Sequence, residues 1–238
     1  MPNDYFQFKQ FTVYHDRCAM KVGTDAVLIG AWTEVEDQCV ILDIGTGTGI
    51  ISLMLAQRCN GRIMAVDIDE GAVEQAQLNV GRSPWADRIE VKQADICVMA
   101  HDEKQQQYFD VIVSNPPYFQ EEVKCPEGKR NMARHTDTLS FSGLLEAVAA
   151  LLNDGGRFSV VLPADVSSDF ITLAVRFGLN LYRQLWIHTK EGKKPKRVLM
   201  AFGKEKVEHT EIAHLNMVNK NGRKSEEYQL LVNDFYLK

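Results

Sequence analysis

Cysteine is sparse: Cys18, Cys39, Cys59, Cys97 and Cys125 are an odd, scattered set of five with no C-x-x-C pair. That pattern argues against a disulfide framework and against a zinc site, and it predicts reduced thiols in the cytoplasm. No apolar run comes near the roughly 20 residues that a membrane helix requires. The opening Met1-Pro2-Asn3-Asp4-Tyr5 has no basic flank leading into an apolar stretch, so neither a membrane span nor an export signal is expected. Excess positive charge is also missing. With a net charge of −5, contact with a nucleic acid has to rest on a local basic patch, because the chain as a whole repels a polyanion. No linker-like stretch, internal repeat or low-complexity segment divides the 238 residues, which predicts one domain with a substantial core.

What is present, from about residue 40 onward, is an alternation of strand-like and helix-like segments. Strands are expected at Val40 to Asp43, Arg62 to Asp67, Ile89 to Gln93, Phe109 to Ser114, Phe158 to Leu162, Leu179 to His188 and Val198 to Phe202, most of them rich in β-branched and apolar residues. Helices are expected at Ile50 to Arg58, Gly71 to Val80, Ser142 to Leu152 and Val166 to Phe177. Gly155-Gly156 and Gly178 stand where left-handed C-terminal caps belong, and Asp165 or Ser167 where a cap starts the last helix. The rhythm is that of an α/β fold with a mostly parallel sheet covered on both faces. Residues 1–35 break it, with an alternating stretch from Phe6 to Val13 and a short helix from about Asp25, and are expected to pack on the sheet as an extension. Residues 36–204 form the core, and the polar tail 205–238 carries no clear pattern.

Asp43-Ile44-Gly45-Thr46-Gly47-Thr48-Gly49 lies between a buried strand and a helix. Glycines there let the backbone turn tightly and let a ligand approach main-chain amides at a helix N-terminus. A dinucleotide loop needs a glycine at the sixth position of G-x-G-x-x-G, and Ile50 occupies it. The spacing instead resembles the cofactor loop of class I S-adenosylmethionine methyltransferases. Asp67 ends the next strand, where a carboxylate can accept from both ribose hydroxyls, with Ile68 beside it. Asp95 and Ile96 close the following strand, where this class places contacts to the cofactor's adenine; Asp95 equally suits a helix cap.

Asn115-Pro116-Pro117-Tyr118 follows the fourth strand of the alternating region. The two prolines lack N–H donors, so the turn offers acceptors without competing amides. An exocyclic amino nitrogen on a base is planar and a poor nucleophile until acceptors hold its hydrogens. The Asn115 side-chain oxygen and the Pro116 carbonyl can do so and stabilise the developing positive charge, with Pro117 fixing the turn and Tyr118 stacking on the base. His101 and His135 are assigned no role, because the product proton can leave to water.

The chain resembles the bacterial family that methylates the amino nitrogen of adenosine 37 in valine tRNA. The matching features are the glycine loop, the Asn-Pro-Pro-Tyr turn, Lys21-Val22-Gly23-Thr24-Asp25-Ala26, Ala133-Arg134 and Asp234-Phe235-Tyr236-Leu237, spread over nearly the whole chain. The resemblance implies S-adenosylmethionine as cofactor and a Rossmann-like class I methyltransferase sheet of seven strands, the last antiparallel, with helices on both faces. It also implies that Thr24 and Asp25 lie by the cofactor's methionine part, and that Lys21, Asp43, Gly45, Thr46, Gly47, Gly49 and Asn115 belong to the cofactor site; a helix cap is an alternative role for Thr24. No metal is implied, and a monomer is expected. Lys193, Lys194, Lys196 and Arg197 in a basic segment, with Lys124, Lys129, Arg130 and Arg134 after the turn, could meet phosphates of tRNA; a solvated hairpin is the plainer alternative.

Three other readings stay open at this point. Protein glutamine methyltransferases use the same turn on a planar amide, although no docking domain stands at the N-terminus. RNA guanine-N2 methyltransferases typically carry Phe where Tyr118 stands. A non-catalytic RNA-binding module of the same fold would more readily have lost Asn115 or the glycine loop.

Overall fold

The structure is a computed structural model and describes residues 4–16, 22–117 and 139–237. Strands β1 (Tyr5–Gln7) and β2 (Thr12–Tyr14) form a small antiparallel hairpin, followed by helix α1 (Thr24–Trp32). The chain then runs β3 (Val40–Ile44), α2 (Ile50–Arg58), β4 (Arg62–Asp67), α3 (Glu70–Gly81), β5 (Ile89–Gln93), α4 (Ile96–Met99) and β6 (Phe109–Ser114). It continues through α5 (Phe141–Leu151), β7 (Leu152–Pro163), α6 (Ser167–Arg176), β8 (Asn180–His188), β9 (Arg197–Gly203), β10 (Glu211–Asn216) and α7 (Glu226–Val232).

Strands β3 to β10 build one eight-stranded sheet in the order β10-β8-β9-β7-β6-β3-β4-β5. Every pairing is parallel except those of β9, which runs antiparallel to both β7 and β8. Side chains alternate between two buried faces: Ile41, Val111, Val113 and Val161 join the core under α1 and α2, while Leu42, Ile112, Val160 and Leu162 join the core under α5 and α6. Burial on both sides is why these strands read as continuous apolar runs rather than as a polar-apolar alternation.

Residues 205–238, unread in the sequence, supply the eighth strand and a helix. β10 pairs with β8, and α7 seats Tyr228 and Val232 in the core below α1. Two expected caps are corrected. Gly178 is left-handed (φ 76°) as anticipated, but Gly155 and Gly156 lie inside β7, which begins directly after α5. Gly156 is crowded there, since an added Cβ would sit 2.7 Å from Leu152 Cδ1 and 2.8 Å from Asn153 Oδ1, side-chain atoms that would have to shift. At α6 the cap is Val166, without a side-chain bond, and Ser167 Oγ donates instead to the Ala164 carbonyl at 2.8 Å.

Candidate active site

The sheet's registers gather the expected residues at one edge. Ile44 pairs with Val66 and with Ser114, and Asp67 with Gln93, so the segments leaving β3, β4, β5 and β6 emerge side by side at the carboxyl ends of parallel strands. That edge is where ligands bind in open α/β sheets.

After β3, Gly45, Gly47 and Gly49 have φ of 70°, 56° and 79°. A side chain at any of them would cost about 1–2 kcal/mol in backbone strain. Gly49 caps α2, and a Cβ there would press on Ala76 Cβ at 3.3 Å. Around Gly45 and Gly47 an added Cβ would meet nothing within 4 Å, so the loop faces open space. Its amides are tied to β4: Gly45 and Thr46 both donate to the Val66 carbonyl, at 2.9 and 3.0 Å. Gly47 N–H donates to Asp67 Oδ2 at 2.9 Å, and Asp67 Oδ1 accepts from Asp69 N–H at 3.1 Å.

Asp43 lies fully buried beneath the loop, accepting 2.7 Å hydrogen bonds on Oδ2 from Thr46 Oγ1 and Ser52 Oγ. Its Oδ1 has no hydrogen-bond partner among the described residues. Burial pushes its pKa up to about 6, against the lowering effect of the Ser52 and Thr46 bonds and with a smaller upward push from Asp67. A buried acceptor with spare capacity, next to open space, suits a cationic or N–H donor from a bound ligand.

Asn79 was not found by reading the sequence. Its side chain, 1% exposed on α3, accepts from Tyr14 N–H at 2.9 Å and donates to the carbonyls of Tyr14 and Thr48, each at 2.8 Å. One amide thereby fastens β2 to the glycine loop. An asparagine with a poor helix propensity in the last turn of α3 is the only local signal for such a role.

At the next strand end, Asp95 caps α4 by accepting from Cys97 N–H at 2.8 Å. Ile68 is 54% exposed beside Asp67, whereas Ile96 is buried in the core under α5. At the end of β6, Ser114 Oγ donates to the Ile44 carbonyl at 3.0 Å and fixes the start of the turn. Asn115 there is half-buried, Pro116 buried and Pro117 exposed. Tyr118, Lys21, Lys124, Lys129, Arg130 and Arg134 lie outside the described residues.

Thr24 is the exposed first residue of α1, and the cap is Gly23, so Thr24 does not serve as the cap. Asp25, one residue on, accepts from Arg197 Nε at 2.8 Å. Arg197 opens β9, at the end of the loop in which Lys193, Lys194 and Lys196 are exposed. Among the described residues, no group of three His, Cys, Asp or Glu residues is placed to hold a metal ion, and no helix is long and apolar enough to cross a membrane.

Residues 35–204 match the family described as "Methyltransferase domain". Among solved structures, a predicted O-methyltransferase from Agrobacterium tumefaciens shares the fold at TM-score 0.72 and 18% identity, covering 89% of this chain and 96% of that one. A precorrin-6y C5,15-methyltransferase from Geobacter metallireducens does so at TM-score 0.54 and 16% identity, over 79% of this chain and 93% of that one. Sequence relatives are much nearer. A tRNA1(Val) (adenine(37)-N6)-methyltransferase of Phocaeicola vulgatus is 58% identical over 100% of this chain and 99% of its own. Its namesake in Photorhabdus laumondii is 46% identical over 98% of this chain and 96% of its own. At such identity over whole chains, with the same domain fold and the glycine loop set beside the Asn-Pro-Pro turn, this chain belongs to the tRNA1(Val) (adenine(37)-N6)-methyltransferase family.

Proposed function

We propose that this protein methylates the exocyclic N6 amino group of adenosine 37 in the anticodon loop of valine tRNA, with S-adenosylmethionine as methyl donor. The observation that carries the chemistry is the Ile44–Ser114 register, which sets the Asn115-Pro116 acceptors next to the glycine loop. The names of the full-length relatives carry the substrate.

S-adenosylmethionine supplies an electrophilic methyl on a sulfonium. The residues present fit it: Asp67 for the ribose hydroxyls, the unpartnered Asp43 Oδ1 and the open face of Gly45 and Gly47 for the amino acid part, with Thr24 and Asp25 contributed by the first turn of α1. Ile68 offers an exposed apolar face to the adenine ring, and Asp95 and Ile96 close that end. The Asn115 side-chain oxygen and the Pro116 carbonyl accept the two N6 hydrogens, which localises the nitrogen lone pair and stabilises the charge that develops on it. Tyr118 stacks on the base and fixes its plane. An anticodon-loop base enters such a pocket at less unpairing cost than a base in a duplex.

The test is methyl transfer from labelled S-adenosylmethionine to unfractionated tRNA lacking this modification, followed by nucleoside analysis. N6-methyladenosine at position 37 of valine tRNA is expected. No incorporation into tRNA, or incorporation into guanosine with none into adenosine, refutes the proposal.

A further inference from the structure

Two loops meet at the outer corner of the same edge. Loop 189–196 joins β8 to β9 and carries Lys190, Lys193, Lys194 and Lys196 with Glu191 as its single acid. Loop 217–225 joins β10 to α7 and carries Lys220, Arg223 and Lys224 with no acid. They lie together because β10 is paired in parallel with β8, His188 opposite Asn216, so both leave the sheet at one level.

Their backbones are stitched. Met217 N–H donates to the His188 carbonyl at 2.8 Å, and Glu191 N–H to the Val218 carbonyl at 2.9 Å. Lys220 Nζ lies 3.1 Å from Glu191 Oε1 and neutralises the one carboxylate. His188 Nδ1 donates to the Lys193 carbonyl at 2.6 Å, while its Nε2 lies 3.0 Å from His214 Nδ1 on β10. Asn219 Oδ1 accepts from the amides of Asn221 and Arg223 at 3.0 and 3.1 Å, around a left-handed Gly222 (φ 78°). Lys224 lies over the Tyr236 ring at 5.4 Å, and the side chain of Lys220 is 79% exposed.

The two loops thus carry seven cations and one acid, with Glu226 and Glu227 following in the first turn of α7, on a protein whose net charge is −5. Mutual repulsion there opposes folding, and a polyanion relieves it. We propose that the two loops form one phosphate-binding surface that docks the tRNA backbone away from the target base, and that β10 is the element that places its second half. This rests on the tRNA reading above and assigns Lys220, Arg223 and Lys224 to RNA contact.

The experiment measures tRNA KM, kcat and binding against salt for the full chain. It compares Lys220→Ala/Arg223→Ala/Lys224→Ala, Lys193→Ala/Lys194→Ala/Lys196→Ala, and an opposite-edge control, Arg62→Ala/Lys104→Ala. Lys220→Ala/Arg223→Ala alone spares the Lys224 ring contacts should the triple variant be unstable. Each loop triple is expected to lower the slope of log Kd against log salt by about 2 and to raise KM about tenfold, with kcat and S-adenosylmethionine affinity unchanged. The control should match the wild type. A wild-type slope in both second-loop variants, with the wild type methylating tRNA, overturns this proposal alone. A wild type that neither binds nor methylates tRNA overturns it together with the tRNA reading.

Discussion

Arg197 at the head of β9 and Asp25 in the first turn of α1 are 172 residues apart and joined by a 2.8 Å bond from Nε to Oδ2. In the sequence they belonged to different expectations, one on RNA and one by the cofactor. Their ion pair ties the foot of the basic loop to the start of α1, with side chains 33% and 25% exposed.

A pair this accessible contributes modestly. A double-mutant cycle of Asp25→Asn and Arg197→Ala should give a coupling of about 1 kcal/mol in urea unfolding. S-adenosylmethionine affinity should fall up to about tenfold in Arg197→Ala, since Asp25 loses the partner that orients it. Zero coupling with unchanged affinity would show that the pair positions nothing.

Asn79→Ala removes three hydrogen bonds, the buried one to the Thr48 carbonyl and two part-buried ones to the Tyr14 backbone. A stability loss of about 2–4 kcal/mol is expected. Asn79→Asp should be at least as damaging, because a carboxylate would face the carbonyls of Tyr14 and Thr48. Cofactor titration well below the melting point should show weakened binding in both; full affinity would separate the clamp from the loop's function.

Asp43 should leave a signature in pH. Its folded value of about 6 exceeds the ordinary 3.8, so the folded protein holds this proton more tightly than the unfolded chain does. The stabilisation is complete below pH 3.8 and is lost as pH rises through about 6, a total fall of roughly 3 kcal/mol across the window. Asp43→Asn should flatten urea midpoints across this window and raise stability at pH 8, while weakening S-adenosylmethionine binding. An unaltered pH profile in the variant would refute this account.

Asn115→Ala should reduce kcat for methyl transfer about 10²–10³-fold with S-adenosylmethionine affinity retained, as expected for an acceptor that acts on developing charge. Full activity would remove the proposed mechanism.

Much of the fold was legible because its signals are local. The strands at 62–67, 89–93 and 109–114 and the helix at 50–58 have the bounds that their composition suggests: β6 is a nearly unbroken apolar run because both its faces are buried, whereas the edge strand β5, Ile-Glu-Val-Lys-Gln, shows an apolar-polar alternation at its start. Gly45, Gly47 and Gly49 announce a left-handed loop because other residues are strained there. Gly155-Gly156 misled, because two glycines after a helix signal a cap equally well as a strand that crowds Leu152.

The amino-acid sequence by itself determined the alternating sheet, the glycine loop and the Asn-Pro-Pro turn, each set by neighbours along the chain. Only the tertiary structure decided that the polar tail adds an eighth strand, that Asn79 clamps Tyr14 to Thr48, that Asp25 meets Arg197, and that loops 189–196 and 217–225 share one corner. These are pairings between residues up to 172 positions apart, specified by strand order and register, and neither leaves a periodicity within a short window of sequence.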